Sequence, residues 1–115
     1  KKILLIGVGT GHSISLFSNS RNSVYATDIL PSAMVVSQQQ YDGVGRNFLA
    51  TDMELLCFKD DSFDLIYIQS VLMHTTDKGR TRAEVNRVLK PDGTLCIIEE
   101  MNKILVIMIL LKKLK

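Results

Sequence analysis

The sequence predicts a single α/β domain: an open, doubly wound, mostly parallel sheet of about five strands in the order 3-2-1-4-5, with helices on both faces. Three observations predict it. Short runs of continuous apolar or β-branched character recur along the chain, as at Ile3 to Ile6, Ser23 to Asp28 and Phe63 to Gln69. Stretches that read as helices alternate with these runs, and a glycine loop, Gly7-Val8-Gly9-Thr10-Gly11, stops the first of them. A length of 115 residues with 46% hydrophobic content gives room for one core and not for two.

Ile3 to Ile6 is uninterrupted rather than alternating, which suits a parallel strand buried on both faces. His12 to Phe17, with Ile14, Leu16 and Phe17, reads as a short helix, and Ser18 to Asn22 is a loop by composition. Ser23 to Asp28 is the second strand. Pro31 presets the first turn of a helix whose apolar side is expected to carry Ala33, Met34, Val35 and Tyr41, before Asp42-Gly43 breaks it. Asn47 to Ala50 is a brief third strand. Asp60-Asp61-Ser62 forms a turn, and the aromatic and β-branched run Phe63 to Gln69 is the fourth and strongest strand. Thr81 to Leu89 reads as a helix with Ala83, Val85, Val88 and Leu89 available to the core. Pro91-Asp92-Gly93 then predicts a turn, and Thr94 to Glu100 the fifth strand. The core thus spans residues 1–100, with an apolar and basic tail over 101–115.

Composition excludes several classes. Fourteen Lys and Arg against twelve Asp and Glu leave a net charge of +2, which is no nucleic-acid footprint. Cys57 and Cys96 lie in apolar runs without metal-ligand spacing, so reduced core thiols and a cytoplasmic setting are expected. Lys1-Lys2-Ile3-Leu4 runs directly into the glycine loop rather than into a secretory leader, and secretion is not expected. The longest apolar run, Ile104 to Leu111, has eight residues, whereas a membrane-spanning helix needs roughly 20.

Ligands of such sheets bind at the carboxyl ends of the strands, where the glycine loop sits. Small residues there let backbone N–H groups approach a ligand, although the same loop would serve as a tight strand-to-helix turn. The spacing G-x-G-x-G places His12 where a dinucleotide-binding loop has its third glycine, which weakens a nicotinamide or flavin reading. Asp28 closes the second strand, 17 positions after Gly11, where its carboxylate can accept from a ribose diol or head the helix that follows. Asp52 ends the third strand similarly, able to accept from an adenine amine while Met53 packs on the ring, or to cap the Glu54-Leu55-Leu56 turn.

In order along the chain, these motifs resemble the class I S-adenosylmethionine-dependent methyltransferase family, in the branch with a methyltransferase type 11 domain. Ile3 to Gly11 resembles the family's first motif, Tyr25 to Asp28 the acidic end of strand two, and Phe58-Lys59-Asp60-Asp61-Ser62-Phe63-Asp64-Leu65-Ile66 the approach to strand four. Ser70-Val71-Leu72-Met73-His74 follows, and Glu84 to Leu95 resembles the helix and turn before strand five, with Asp92 where glycine is commoner. The resemblance implies a Rossmann-like fold and S-adenosyl-L-methionine as cofactor. It implies that Gly7, Val8, Gly9 and Gly11 line the methionine and ribose part, that Asp28 takes the ribose hydroxyls beside Ile29, and that Asp52 and Met53 frame the adenine. Gln69 and Ser70 would border the sulfonium, with methyl transfer by in-line displacement to a small-molecule acceptor.

His74 is the candidate base, against a packing role, while His12 reads as a first-turn residue of its helix. Glu84 and Arg87, spaced i, i+3, predict an ion pair rather than a site. Two features depart from the family. Leu5 stands where an acidic residue two positions before the first glycine is usual, and the flanking helices and final strands that build the acceptor pocket have no counterpart here. A platform without its substrate pocket leaves a non-catalytic cofactor-binding or interaction module as the alternative. Strand five would then be an exposed apolar edge, and Lys103 to Leu111 is expected to cover or extend it, within the chain or in a homodimer.

Overall fold

The computed structural model describes residues 1–9, 11–19, 21–69, 75–101 and 104–110. Nine elements follow one another: β1 (Lys2–Ile6), α1 (His12–Phe17), β2 (Ser23–Asp28), α2 (Pro31–Tyr41), β3 (Arg46–Ala50), β4 (Phe63–Gln69), α3 (Lys78–Val88), β5 (Leu89–Met101) and β6 (Ile104–Leu110). They form one sheet in the order β3-β2-β1-β4-β5-β6. The first five strands are parallel, as the sequence predicts. β6 adds a sixth, antiparallel to β5 from Met101↔Ile104 to Leu95↔Leu110, so this stretch extends the β5 edge within the chain.

The strands alternate between two cores, which is why the helices divide between the faces. Ile3, Leu5, Val24 and Ala26 point toward Ile14 of α1 and Met34 of α2. Leu4, Ile6, Ile66 and Ile68 point the other way, toward Val85 and Val88 of α3. Complete burial of such side chains contributes about 1.5–3 kcal/mol each. Phe63 is fully buried between Tyr25 and Phe58, with edge-to-face ring centroids at 5.6 and 4.9 Å.

Local chemistry explains where the elements depart from their expected bounds. α3 starts at Lys78 rather than Thr81, because Asp77 caps it by accepting from the Arg80 N–H at 2.9 Å. Its first turn, Lys78-Gly79-Arg80, buries nothing and is invisible to a hydrophobic period. β5 begins at Leu89, and Pro91-Asp92-Gly93 is an irregularity inside it instead of a turn before it. Leu89 faces Phe63 while Thr94 faces Leu65, so the extra residues loop out of register and pairing resumes.

Several expected core residues are not in the core. Val35 on α2 is 57% exposed, while Met34 and Ser37 face inward. Leu16, Ala83 and Cys57 are exposed as well, Cys57 because Leu56 beside it takes the inward position. Cys96 is partly buried within β5, both thiols are free, and burial pushes the Cys96 thiol up from its ordinary pKa.

Candidate functional site at the carboxyl edge of the sheet

The carboxyl ends of the inner strands form one row. Ile6 of β1 pairs with Thr27 of β2 and Ile68 of β4, so Gly7, Asp28 and Gln69 come next, side by side. Asp28 in turn pairs with Ala50 at the end of β3, just before Asp52.

Backbone hydrogen bonds bend the glycine loop back across β2: Gly7 N–H and Val8 N–H both donate to the Thr27 carbonyl, at 3.0 and 3.2 Å. Gly9 (φ +55°) and Gly11 (φ +94°) have left-handed backbone that side chains resist. Their surroundings differ. A Cβ on Gly11 would meet the Tyr41 ring at 2.8 Å, whereas one on Gly9 would meet nothing within 4 Å. Gly11 is therefore needed for packing against α2, and Gly9 faces open space where a ligand can approach the backbone.

Asp28 heads the helix that follows and also meets the glycine loop. Its Oδ2 accepts from the Gly9 N–H at 3.1 Å, and its Oδ1 accepts from the Leu30 N–H at 3.0 Å at the entrance to α2. Ile29, next to it, is 64% exposed, a solvent-facing apolar surface at the same edge. Asp52 is exposed and caps its own turn, with Oδ1 accepting from the Glu54 N–H at 2.9 Å. Met53 packs partly on the α3-side core, and Gln69 is exposed at the tip of β4. Ser70 and His74 lie outside the described residues. His12 is the first residue of α1, with Nδ1 3.4 Å from the Tyr41 hydroxyl.

A nucleoside-bearing cofactor fits this chemistry. A carboxylate acceptor stands beside an unobstructed glycine, and exposed apolar surface follows it at Ile29. Leu5 contributes no charge, being wholly buried against α1 and α2. Among the described residues no His, Cys, Asp and Glu cluster could hold a metal ion, and no helix is long and apolar enough to cross a membrane.

Two residues that support the loop carried no clear sequence signal. Ser37 Oγ donates to the Gly9 carbonyl at 3.0 Å, and Thr27 Oγ1 donates to the Leu5 carbonyl at 2.7 Å. Both side chains are buried. The one hint was a serine at helical spacing between Met34 and Tyr41.

The opposite, amino end of the sheet, where α3 leads into β5 and the chain enters β4, is held by charge. Arg87 donates to the Leu56 and Phe58 carbonyls at 3.0 and 2.8 Å, to Asp60 at 2.9 Å and to Glu84 at 2.7 Å. Glu84 also accepts from the Leu56 N–H at 2.8 Å. The Arg87 bond holds the Glu84 carboxyl below its ordinary pKa, and the Arg87 guanidinium is raised by Glu84 and then Asp60.

The family model for a methyltransferase domain matches residues 4–97. A ubiquinone/menaquinone biosynthesis C-methyltransferase (UbiE) of Marinomonas is 36% identical over 104 residues, which cover 84% of this chain and 41% of that protein. Its counterpart from Shewanella piezotolerans is 34% identical, covering 85% and 42%. The chain thus spans about two fifths of the length of these relatives. Among solved structures, the YcgJ protein of Bacillus subtilis superposes with a TM-score of 0.78 at 30% identity, over 86% of this chain and 44% of that one. The methyltransferase in complex with the Trm112 activator from Haloferax volcanii gives 0.81 at 24% identity, over 86% and 45%, a likeness of fold.

Proposed function

Because the chain belongs to the class I S-adenosylmethionine-dependent methyltransferase family, we propose that its protein methylates a small-molecule acceptor at this edge. The observation that carries the proposal is the Asp28 carboxylate held against the open Gly9 at the shared end of β1 and β2. When bound, S-adenosylmethionine supplies a methyl group activated by its sulfonium charge. Asp28 would hold the ribose hydroxyls through further charge-assisted bonds, its carboxylate having acceptor sites left beside the two backbone donors it already meets. Gly7, Val8, Gly9 and Gly11 would border the methionine and ribose part, Ile29 and Met53 would flank the adenine, and Asp52 would accept from its amine. Gln69 and Ser70 would border the sulfonium side. Catalysis here is chiefly a matter of fixing the methyl donor and acceptor in line.

The names of the two quinone-biosynthesis relatives favour a carbon acceptor, such as an electron-rich ring position. An acceptor carbon that gains the methyl gives up a proton, and His74 is the base proposed to take it. A cytoplasmic setting suits the free thiols, and a homodimer would pair through β6, the outer strand. The buried, uncharged Leu5 favours one second reading, a cofactor-binding module without catalysis.

The test is to incubate the purified protein with methyl-labelled S-adenosylmethionine and a panel of acceptors that includes phenolic quinone precursors. Label transfer that disappears in Asp28→Ala is expected. Binding of S-adenosylhomocysteine without transfer to any acceptor would overturn the enzymatic reading in favour of the module.

A further inference from the structure

Outside the glycine loop, one side chain ties together two segments that are distant in sequence. Glu54 follows Asp52 and Met53, and its Oε2 accepts from the Thr75 hydroxyl at 3.0 Å and from both the hydroxyl and the N–H of Thr76, at 2.9 and 3.3 Å. Its backbone carbonyl accepts from Arg80 Nε at 3.0 Å, and its own N–H is held by Asp52. Thr75 continues the chain of contacts to the buried Thr81 of α3, with hydroxyls 2.8 Å apart. Donation by Thr76 and then Thr75 holds the Glu54 carboxyl below its ordinary pKa, so it is a charged acceptor at neutral pH.

Closing the local turn does not require this arrangement. The Glu54 carboxylate accepts from hydroxyls and an N–H while Arg80 bonds its backbone carbonyl, and the turn is already closed by the Leu55 N–H donating to the Asp52 carbonyl at 3.0 Å. What Glu54 adds is a fixed offset between the Asp52-Met53 turn and the start of α3. We infer that Glu54 is a positioning residue for the cofactor, holding the Asp52-Met53 turn in its binding position through Thr75 and Thr76. The inference rests on the cofactor reading above and adds to it a residue that touches no ligand.

The test measures S-adenosylhomocysteine affinity of the full chain by calorimetry at a temperature where circular dichroism shows each variant folded. Glu54→Ala is expected to weaken binding about tenfold, and Glu54→Gln, which keeps an acceptor oxygen, by less than about threefold. Adding Thr76→Val to Glu54→Ala should weaken binding no further, since both remove one linkage. If Glu54→Ala lowers the melting temperature but binds like the wild type, or if its effect and that of Thr76→Val simply multiply, the inference is overturned while the cofactor reading stands. Wild-type protein that binds no S-adenosylhomocysteine overturns both. Should Glu54→Ala fail to fold, Thr76→Val carries the test: it must weaken binding measurably, and wild-type affinity in that variant overturns the inference.

Discussion

The two ends of the sheet, carboxyl and amino, are held by different forces. Around β1 and β2 the glycine loop is fixed by backbone geometry and short neutral donors: left-handed Gly9 and Gly11, the Thr27 carbonyl, and the hydroxyls of Ser37 and Thr27. At the amino ends of β4 and β5 the chain is fixed by ionised groups: Arg87 with Glu84 and Asp60, and Lys90 with Asp64. The difference teaches how one small domain keeps a ligand loop shaped yet unobstructed. Hydroxyls and missing Cβ atoms take little space and leave Asp28 as the charged group beside the glycines. The amino end, away from the glycine loop, uses long charged side chains that bond backbone carbonyls and one another.

Substitutions can break each end separately. The largest effect is expected from Gly11→Ala, where left-handed strain and collision with the Tyr41 ring should together cost about 3 kcal/mol and lower the denaturant midpoint. Next is Arg87→Ala. It strands the Leu56 and Phe58 carbonyls and leaves Glu84 without its cation, an expected loss of about 2 kcal/mol, with cofactor affinity little changed. Ser37→Ala should cost about 1 kcal/mol of stability by orphaning the Gly9 carbonyl, and should weaken S-adenosylhomocysteine binding as well, because the loop loses its support from α2.

The smallest effect sharpens the contrast through pH. Donation from the Lys2 N–H, aided by Lys90, holds the Asp64 carboxyl below its usual 3.8, and Arg87 holds Glu84 below its usual 4.5. A carboxyl whose folded pKa is depressed stabilises the fold above its unfolded value, and that contribution disappears as pH falls through the folded one. Hydrogen exchange followed downward from about pH 4.5 should therefore show the 56–60 and 84–90 segments loosening before the 5–11 loop. Earlier loosening of the glycine loop would contradict the division.

What the sequence made legible follows the same division. The five parallel strands, their order and the glycine loop could be read because continuous apolar runs and clustered glycines have few other uses. Asp28 was legible because a strand end places it. The supporting contacts were not. Ser37 is buried on α2 while Val35 is exposed, a reversal of hydrophobic expectation that arises because the Gly9 carbonyl needs a donor. The early start of α3 depends on the Asp77 cap and not on periodicity, and the role of Glu54 depends on threonines more than 20 residues away. Such contacts are long-range and polar, and no local pattern announces them.

The central claim is that Asp28 and the open glycine loop bind the cofactor. Calorimetric titration with S-adenosylhomocysteine, with Asp28→Ala as control and thermal unfolding in parallel, tests it most directly. The account predicts a Kd below about 100 μM, stabilisation of about 1.4 kcal/mol or more at about 1 mM free ligand, and loss of both in Asp28→Ala. A folded wild-type chain that neither binds nor is stabilised, or an Asp28→Ala variant that binds equally well, would contradict it.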